Sequence, residues 1–359
     1  MSRSVTTQTI PNPVLDRRSL LAMGSGLALA SLLTHAASAQ DATPDATPAT
    51  ANGMQPDGTW AFTDDRGITV TLDKMPERIV ADINVAAALW DFGLRPVGIF
   101  GWNILSATEI AGGAGGNLDL STVEIVSEFG TDQIDVEKLA GLDPDLIVSS
   151  VFAPEYGVWS INPDAQANVE TIAPIVTISG IIRADKALEH TAVLAAALGV
   201  DLDSDEIVTQ RTGYEAALQA YKDAIAANQG ITAIFIYASP QNLWVANPDS
   251  AADVMLYRDL GLIVPHLDVA AGEYWLQLSL EETTKFPTDM VFNSDRSEIL
   301  TLADLQAQPT YALHPAIKAG QVYSWSQDVT GSYLGMARVL NATAADVASA
   351  KKGVGTFQQ

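Results

Sequence analysis

The chain has 359 residues, 48% hydrophobic and 17% charged, with 43 acidic against 19 basic side chains and no cysteine. A formal charge of −24 without any basic cluster excludes nucleic-acid binding, because phosphate contacts need a basic face. The missing cysteine excludes disulfide frameworks, thiol catalysis, iron–sulfur clusters, cysteine zinc sites and lipoprotein anchoring, and the length exceeds what one core usually serves, so two lobes are expected.

Residues 1–39 read as a twin-arginine signal peptide. Arg17 and Arg18 precede an apolar stretch over 20–33, and Ala37 and Ala39 stand before Gln40 as small residues do at a cleavage site. The stretch is too short and too rich in Gly, Ala and Ser for a membrane span of ~20 residues. Cleavage removes Arg3, Asp16, Arg17 and Arg18 and leaves 42 acidic and 16 basic residues, a charge of −26. Residues 40–59 include a repeated DATP with nothing to bury, and are expected to be a disordered linker with folded structure starting near Trp60.

Residues 68–72 (ITVTL) alternate as an edge strand. The apolar runs 78–82, 146–148, 174–178, 231–237 and 290–292 read as buried parallel strands. They alternate with helical segments, so the expected fold class is α/β, with two doubly wound parallel-sheet lobes. Between them Ile207, Val208, Tyr214, Ala217, Leu218, Tyr221 and Ile225 recur at helical spacing after Asp203 and Ser204 as candidate caps. That is one helix of about 24 residues, or ~36 Å. The domain reading is therefore an N-terminal lobe at 60–203, a linking helix at 204–229, a C-terminal lobe at 230–350 and a tail at 351–359.

Two segments, 134–150 and 278–294, align without gaps and share an element order: a capping residue (Asp135, Ser279), an acidic-led helix, a Pro turn, an Asp (Asp145, Asp289) and a β-rich apolar run. Glu137 aligns with Glu281, and Ser150 with Ser294. A second echo sets DFGL at 91–94 against DLGL at 259–262, each with Gly at a helix stop. A duplicated α/β lobe explains both.

The stretches TDDRGITVTL (63–72), PERIV (76–80), GLRPVG (93–98), LDPDLI (142–147), IAPIV (172–176), DLGL (259–262) and HPAIKAGQVY (314–323) resemble, in this order and spacing, the substrate-binding proteins of ABC importers for ferric siderophores, cobalamin and haem. The likeness spans nearly all of 60–350. It implies two Rossmann-like lobes joined by one long helix, ligand in the cleft between them, and a monomer that delivers its cargo to a permease dimer. It also implies that Glu137 and Glu281, the pair picked out by the repeat, dock into arginine pockets of that permease, where carboxylate–Arg pairs are strong when bidentate.

The resemblance further places Trp102, Phe129, Trp244 and Trp275 at ligand-facing positions, with Tyr156, Trp159 and Trp325 as neighbours at strand carboxyl ends. Trp60 and Trp90 read as structural. Aromatic walls suit a bulky chelate, since each ring buries ~150–250 Å² with few torsions to freeze. Only Arg183 and Arg296 fall in candidate mouth segments, so a neutral or cationic ligand, such as a ferric hydroxamate or a corrinoid, is favoured over an anionic ferric catecholate. After cleavage three histidines remain, His190, His266 and His314, too scattered to capture a bare metal ion; haem would need a tyrosine such as Tyr156 or Tyr333. The expected cargo is an iron–siderophore complex, with cobalamin or haem as the alternative and no covalent cofactor. An exported hydrolase and a surface scaffold without transport are the rivals from other classes. No GxSxG elbow, HExxH or phosphate loop supports an enzyme.

Overall fold

The computed structural model describes residues 52–152, 157–296 and 300–357, so the expected signal peptide and most of the expected linker lie outside the described residues. Order begins earlier than Trp60. Gly53–Met54 (β1) pairs antiparallel with Trp60–Thr63 (β2), which pairs with Thr69–Leu72 (β3), so the end of the 40–59 segment is a strand rather than a tether. The cause is Trp60, which is fully buried and donates its indole N–H to the carbonyl of Ala197 at 2.7 Å, drawing its partner strand onto the body.

The first large sheet is wholly parallel. Its order is Ile175–Ser179 (β10), Leu146–Val151 (β9), Ile79–Asp82 (β4), Gly98–Phe100 (β5) and Glu124–Ile125 (β8), with a separate hairpin of Ile104–Ser106 (β6) and Glu109–Ile110 (β7). Ile83–Asp91 (α1), Val136–Gly141 (α2), Pro163–Glu170 (α3) and Ala184–Ala197 (α4) connect and cover it. All four residues of β4 are buried, which is why this strand reads as an unbroken apolar run ended by a polar cap: Asp82 accepts from the backbone N–H of Asn84 and starts α1.

The second sheet runs Trp275–Leu278 (β13), Leu243–Ala246 (β12), Ala233–Ala238 (β11), Met290–Ser294 (β14), Val322–Trp325 (β15). As the runs 231–237 and 290–292 predict, β11 and β14 are parallel, and β15 is parallel to β14; β12, which the sequence did not single out, runs antiparallel to β11, and β13 antiparallel to β12. The reason is connection length. A parallel crossover takes a dozen or more residues, but β11 and β12 are joined by residues 239–242, closed by the Ser239 N–H donating to the Asn242 carbonyl at 2.9 Å and clasped by the Tyr311 hydroxyl. Ala252–Asp259 (α6), Leu302–Ala307 (α7), Pro315–Lys318 (α8) and Tyr333–Ser349 (α9) complete this lobe.

The internal repeat has a physical basis. Asp145, just before β9, accepts from the backbone N–H groups of Glu77 and Arg78 at 2.9 Å each, fixing the entry of β4. Asp289, just before β14, accepts from the backbone N–H of Thr232 at 3.2 Å, fixing the entry of β11. Each aspartate thus locks the start of the two central strands of its sheet. The DFGL and DLGL echoes are the same helix stop: Leu94 N–H donates to Leu89 and Leu262 N–H to Tyr257, around Gly93 (φ 89°) and Gly261 (φ 110°), a left-handed step that glycine takes without strain. The copies differ where Asp135 caps the six-residue α2 but Ser279, in a capping box with Glu282, starts only a single 3₁₀ turn.

Asp205–Ala227 (α5) is the 23-residue rod between the lobes. It packs along α9 and buries Ile207, Ala217, Tyr221, Ala224 and Ile225, each large side chain stabilising by about 2 kcal/mol. One turn reaches the first lobe, where Gln210 Nε2 donates to the carbonyl of Asp91 at 3.1 Å; further along, the Tyr221 hydroxyl donates to the carbonyl of Tyr257 in the second. The expected tail at 351–359 is folded over its described part, for Gly353 and Gly355 both donate to Asp289. Among the described residues no helix is long and apolar enough to cross a membrane.

Candidate functional site

A cavity of about 370 Å³ lies between the lobes, at the carboxyl ends of β9, β10, β14 and β15, where open α/β sheets gather ligands. On the first-lobe side Trp159 is fixed by its backbone: its N–H donates to the Ser150 carbonyl at 2.9 Å and its own carbonyl accepts from Ser149 Oγ at 2.7 Å. Its ring meets Phe152 edge to face, centroids 4.5 Å apart at 62°. On the second-lobe side Trp275 meets Tyr274 in the same way, 4.9 Å apart at 66°. Each lobe therefore contributes one edge-to-face aromatic pair to the cavity.

Charge in the site is mostly negative. Among the described residues the ionisable lining groups are Asp253, Glu273, Asp328 and Arg296, with Tyr274 held neutral because burial pushes its pKa up. Arg296 is already committed. It grips Asp328 in a fork of two hydrogen bonds at 2.8 and 2.7 Å and lies 4.6 Å from the centre of the Trp102 ring. Burial works against its charge, but Asp328, through its charge and its hydrogen bonds, together with other acidic neighbours such as Asp295, raises its pKa. Asp253, in the first turn of α6, is pushed up to about 6 by burial, partly offset by the Trp325 indole N–H donating to it at 2.7 Å. Asp82, at the start of α1 next to the cavity-lining Asn84, is raised to about 7 by burial, partly offset by the Asn84 N–H that donates to it.

The structure brings together some of the expected residues and separates others. Trp159 and Trp275 line the cavity. Trp325 does not: it is 2% exposed and packs behind Trp275 at 6.0 Å, so its expected place in the wall is corrected to that of a support. The alternation of β15 turns its last residue inward. Trp102 reaches the cavity only through Arg296, and Trp244 packs on Tyr237 within the second sheet, outside the lining. Phe129 is 51% exposed beside a separate surface cavity with Glu128 and Lys138. Tyr156 lies outside the described residues. Of the mouth arginines, Arg183 instead bridges Asp185 and, across the lobes, Asp259. Tyr333 packs between Phe92 and Tyr214, not in the cavity.

Sequence reasoning missed Phe152, Tyr274, Asp253 and Asp328. Phe152 and Tyr274 each had a signal, an aromatic just past a buried strand and one adjoining Trp275; Asp328 had none, since its partner Arg296 is 32 positions away. Among the described residues no three His, Cys, Asp or Glu side chains gather as a metal site. Two aromatic corners, an internally paired arginine and surplus carboxylates can enclose a bulky guest that carries no net negative charge.

The sequence matches the family model described as periplasmic binding protein over residues 114–329. Among solved structures, DesE from Streptomyces coelicolor, described as a ferric-siderophore receptor protein, is 30% identical and superposes with a TM-score of 0.75 over 82% of this chain and 99% of its own. The petrobactin-binding protein YclQ from Bacillus subtilis is 16% identical, with a TM-score of 0.61 over 80% of this chain and 98% of its own. FhuD from Vibrio cholerae, in its Fe3+–Desferal complex, is 18% identical, with a TM-score of 0.55 over 78% and 99%. The last two are likenesses of fold. No curated protein sequence matches the chain.

Proposed function

Because this chain belongs to the periplasmic binding protein family, we propose that it is an exported protein that captures a ferric siderophore and delivers it to an ABC transporter permease. The reading divides the mature chain into a lobe at 60–203, a hinge at 204–229 and a lobe at 230–350, follows removal of residues 1–39, and takes the protein as a monomer that binds cargo without catalysing a reaction. One observation carries it: a cavity between the lobes walled by an aromatic pair from each, in which the only lining cation among the described residues is already paired.

Charge narrows the cargo. Asp253, Glu273 and Asp328 against Arg296 leave a formal surplus of two negative charges among the lining residues. A ferric catecholate carries three negative charges and finds no free guanidinium among the described lining residues, whereas a ferric trihydroxamate core is neutral and needs none. The description of DesE as a ferric-siderophore receptor agrees with a ferric siderophore as cargo. A corrinoid or haem is the weaker reading, since no histidine and no unpacked tyrosine lines the cavity among the described residues.

For delivery the reading uses Glu137 and Glu281. Both are exposed, and each stands two residues after the capping residue that opens its segment, Asp135 or Ser279. Equivalent carboxylates on duplicated lobes match a two-fold symmetric partner with basic pockets. The test combines two measurements. Equilibrium dialysis against iron-loaded desferrioxamine, a ferric tricatecholate, cobalamin and haem should retain the hydroxamate best, near one per chain. Replacing Glu137 and Glu281 by alanine should leave that retention intact and abolish permease-stimulated uptake. Retention of none of the four rejects capture, and unchanged uptake in the double variant rejects the docking role.

A further inference from the structure

We propose that Gly180 is a specificity-determining position whose missing side chain seats the Phe152 ring and thereby sets the shape of the first-lobe aromatic wall; this rests on the capture reading above. β9 and β10 pair in parallel register up to Val151 and Ser179, and the next residue, Gly180, donates its N–H to the Val151 carbonyl at 2.8 Å. This fixes the glycine directly against the residue that follows Val151. A Cβ built on Gly180 would lie 2.5 Å from Cε1 and 2.8 Å from both Cδ1 and Cζ of Phe152, closer than side chains approach one another. The three nearest atoms all belong to that one ring.

Backbone conformation does not require the glycine. Its φ is not positive, so alanine could take the same backbone without strain. What alanine cannot share is the space, and the ring that must yield also meets Trp159 at 4.5 Å and lines the cavity. Pushed off Gly180, Phe152 has to turn against Trp159 or into the ligand space. Phe152 and Gly180 are both only half buried, so the fold tolerates this movement and the cavity does not. The wall's geometry also selects cargo shape. The aromatic pairs meet at 62° and 66°, so neither presents coplanar rings. Such corners take a globular chelate with aliphatic spacers rather than a flat macrocycle.

The test is a double-mutant cycle on the full chain, titrated with iron-loaded desferrioxamine and followed by tryptophan fluorescence. Gly180→Ala should weaken binding about three- to tenfold, the value of one edge-to-face contact, and should change the near-UV circular dichroism of the free protein while the unfolding midpoint stays within a few degrees. In a Phe152→Ala background, Gly180→Ala should have no further effect on affinity, because its only route to the ligand is gone. An unchanged dissociation constant in the single variant overturns the proposal. So does a weakening that persists at full size without Phe152. If the wild type binds no chelate at all, the capture reading fails, while the near-UV comparison still decides the Gly180–Phe152 contact by itself.

Discussion

Replacing Asp328 with asparagine releases Arg296, the one cation lining the cavity among the described residues, and the charge argument for the cargo then makes a quantitative demand. The fork from Arg296 to Asp328, at 2.8 and 2.7 Å, neutralises a guanidinium whose side chain is 20% exposed and which is held in place from below by Trp102. Asparagine keeps one acceptor and the side-chain volume, so the guanidinium stays on the indole and its charge becomes available to the cavity. One unit charge about 8 Å from the chelate in an effective dielectric of ~40 is worth about 1 kcal/mol per ligand charge. A trianionic ferric catecholate therefore gains up to about 3 kcal/mol, a hundredfold before screening and still tenfold or more in a partly closed site. A neutral ferric trihydroxamate gains almost nothing. The assay is the ratio of the two dissociation constants, wild type against Asp328→Asn, at low and at physiological salt, with near-UV circular dichroism to confirm folding. Arg296→Gln is the converse and should move the ratio the other way. A folded Asp328→Asn protein whose ratio stays within twofold of wild type would refute the reasoning that lining charge selects the cargo.

Two further outcomes concern the scaffold. Asp289→Ala strips acceptors from the N–H groups of Thr232, Gly353 and Gly355, all close to a carboxylate only 3% exposed, and should cost about 3–5 kcal/mol; the more exposed Asp145→Ala loses two N–H partners and should cost about 1–2 kcal/mol, so thermal midpoints should rank wild type, then Asp145→Ala, then Asp289→Ala. Stability should also rise as pH falls from 8 to about 5.5. Burial lifts Asp82 to about 7 and Asp253 and Asp346 to about 6, so the folded state holds these protons more tightly than the unfolded chain; the resulting stability is complete below the unfolded carboxyl range and is lost as pH rises through 6 to 7. Lowered groups such as Asp259, paired with Arg183, lose their contribution only at more acidic pH. Asp82→Asn should flatten the slope, and a midpoint that climbs from pH 5.5 to 8 would contradict the assignment.

The elements that sequence made legible are those whose cause is local. An unbroken apolar run between caps is a strand buried on both faces, and β4, β9, β10, β11 and β14 follow that rule. The rod α5 announced itself by a helical stripe over six turns, and the duplicated aspartates by their spacing ahead of β9 and β14. Strand direction in the second sheet depended on a four-residue turn, which an apolar run does not reveal. The site was harder. Trp275 and Trp325 both sit at strand ends, yet pleat and neighbours put the first in the cavity and the second behind it. Phe152 matters because a glycine 28 positions later lies under its ring, and Arg296 because a carboxylate 32 positions later accepts its fork. Such pairings come from tertiary proximity and carry no periodic signal.

Intrinsic fluorescence during titration of the protein with iron-loaded desferrioxamine bears most directly on capture between the lobes. The account predicts saturable quenching at one chelate per chain, with Trp159→Phe and Trp275→Phe each removing a large share of the amplitude, because these two indoles line the cavity. Emission that does not respond to any of the four candidate cargoes, or a response untouched by both substitutions, would contradict it.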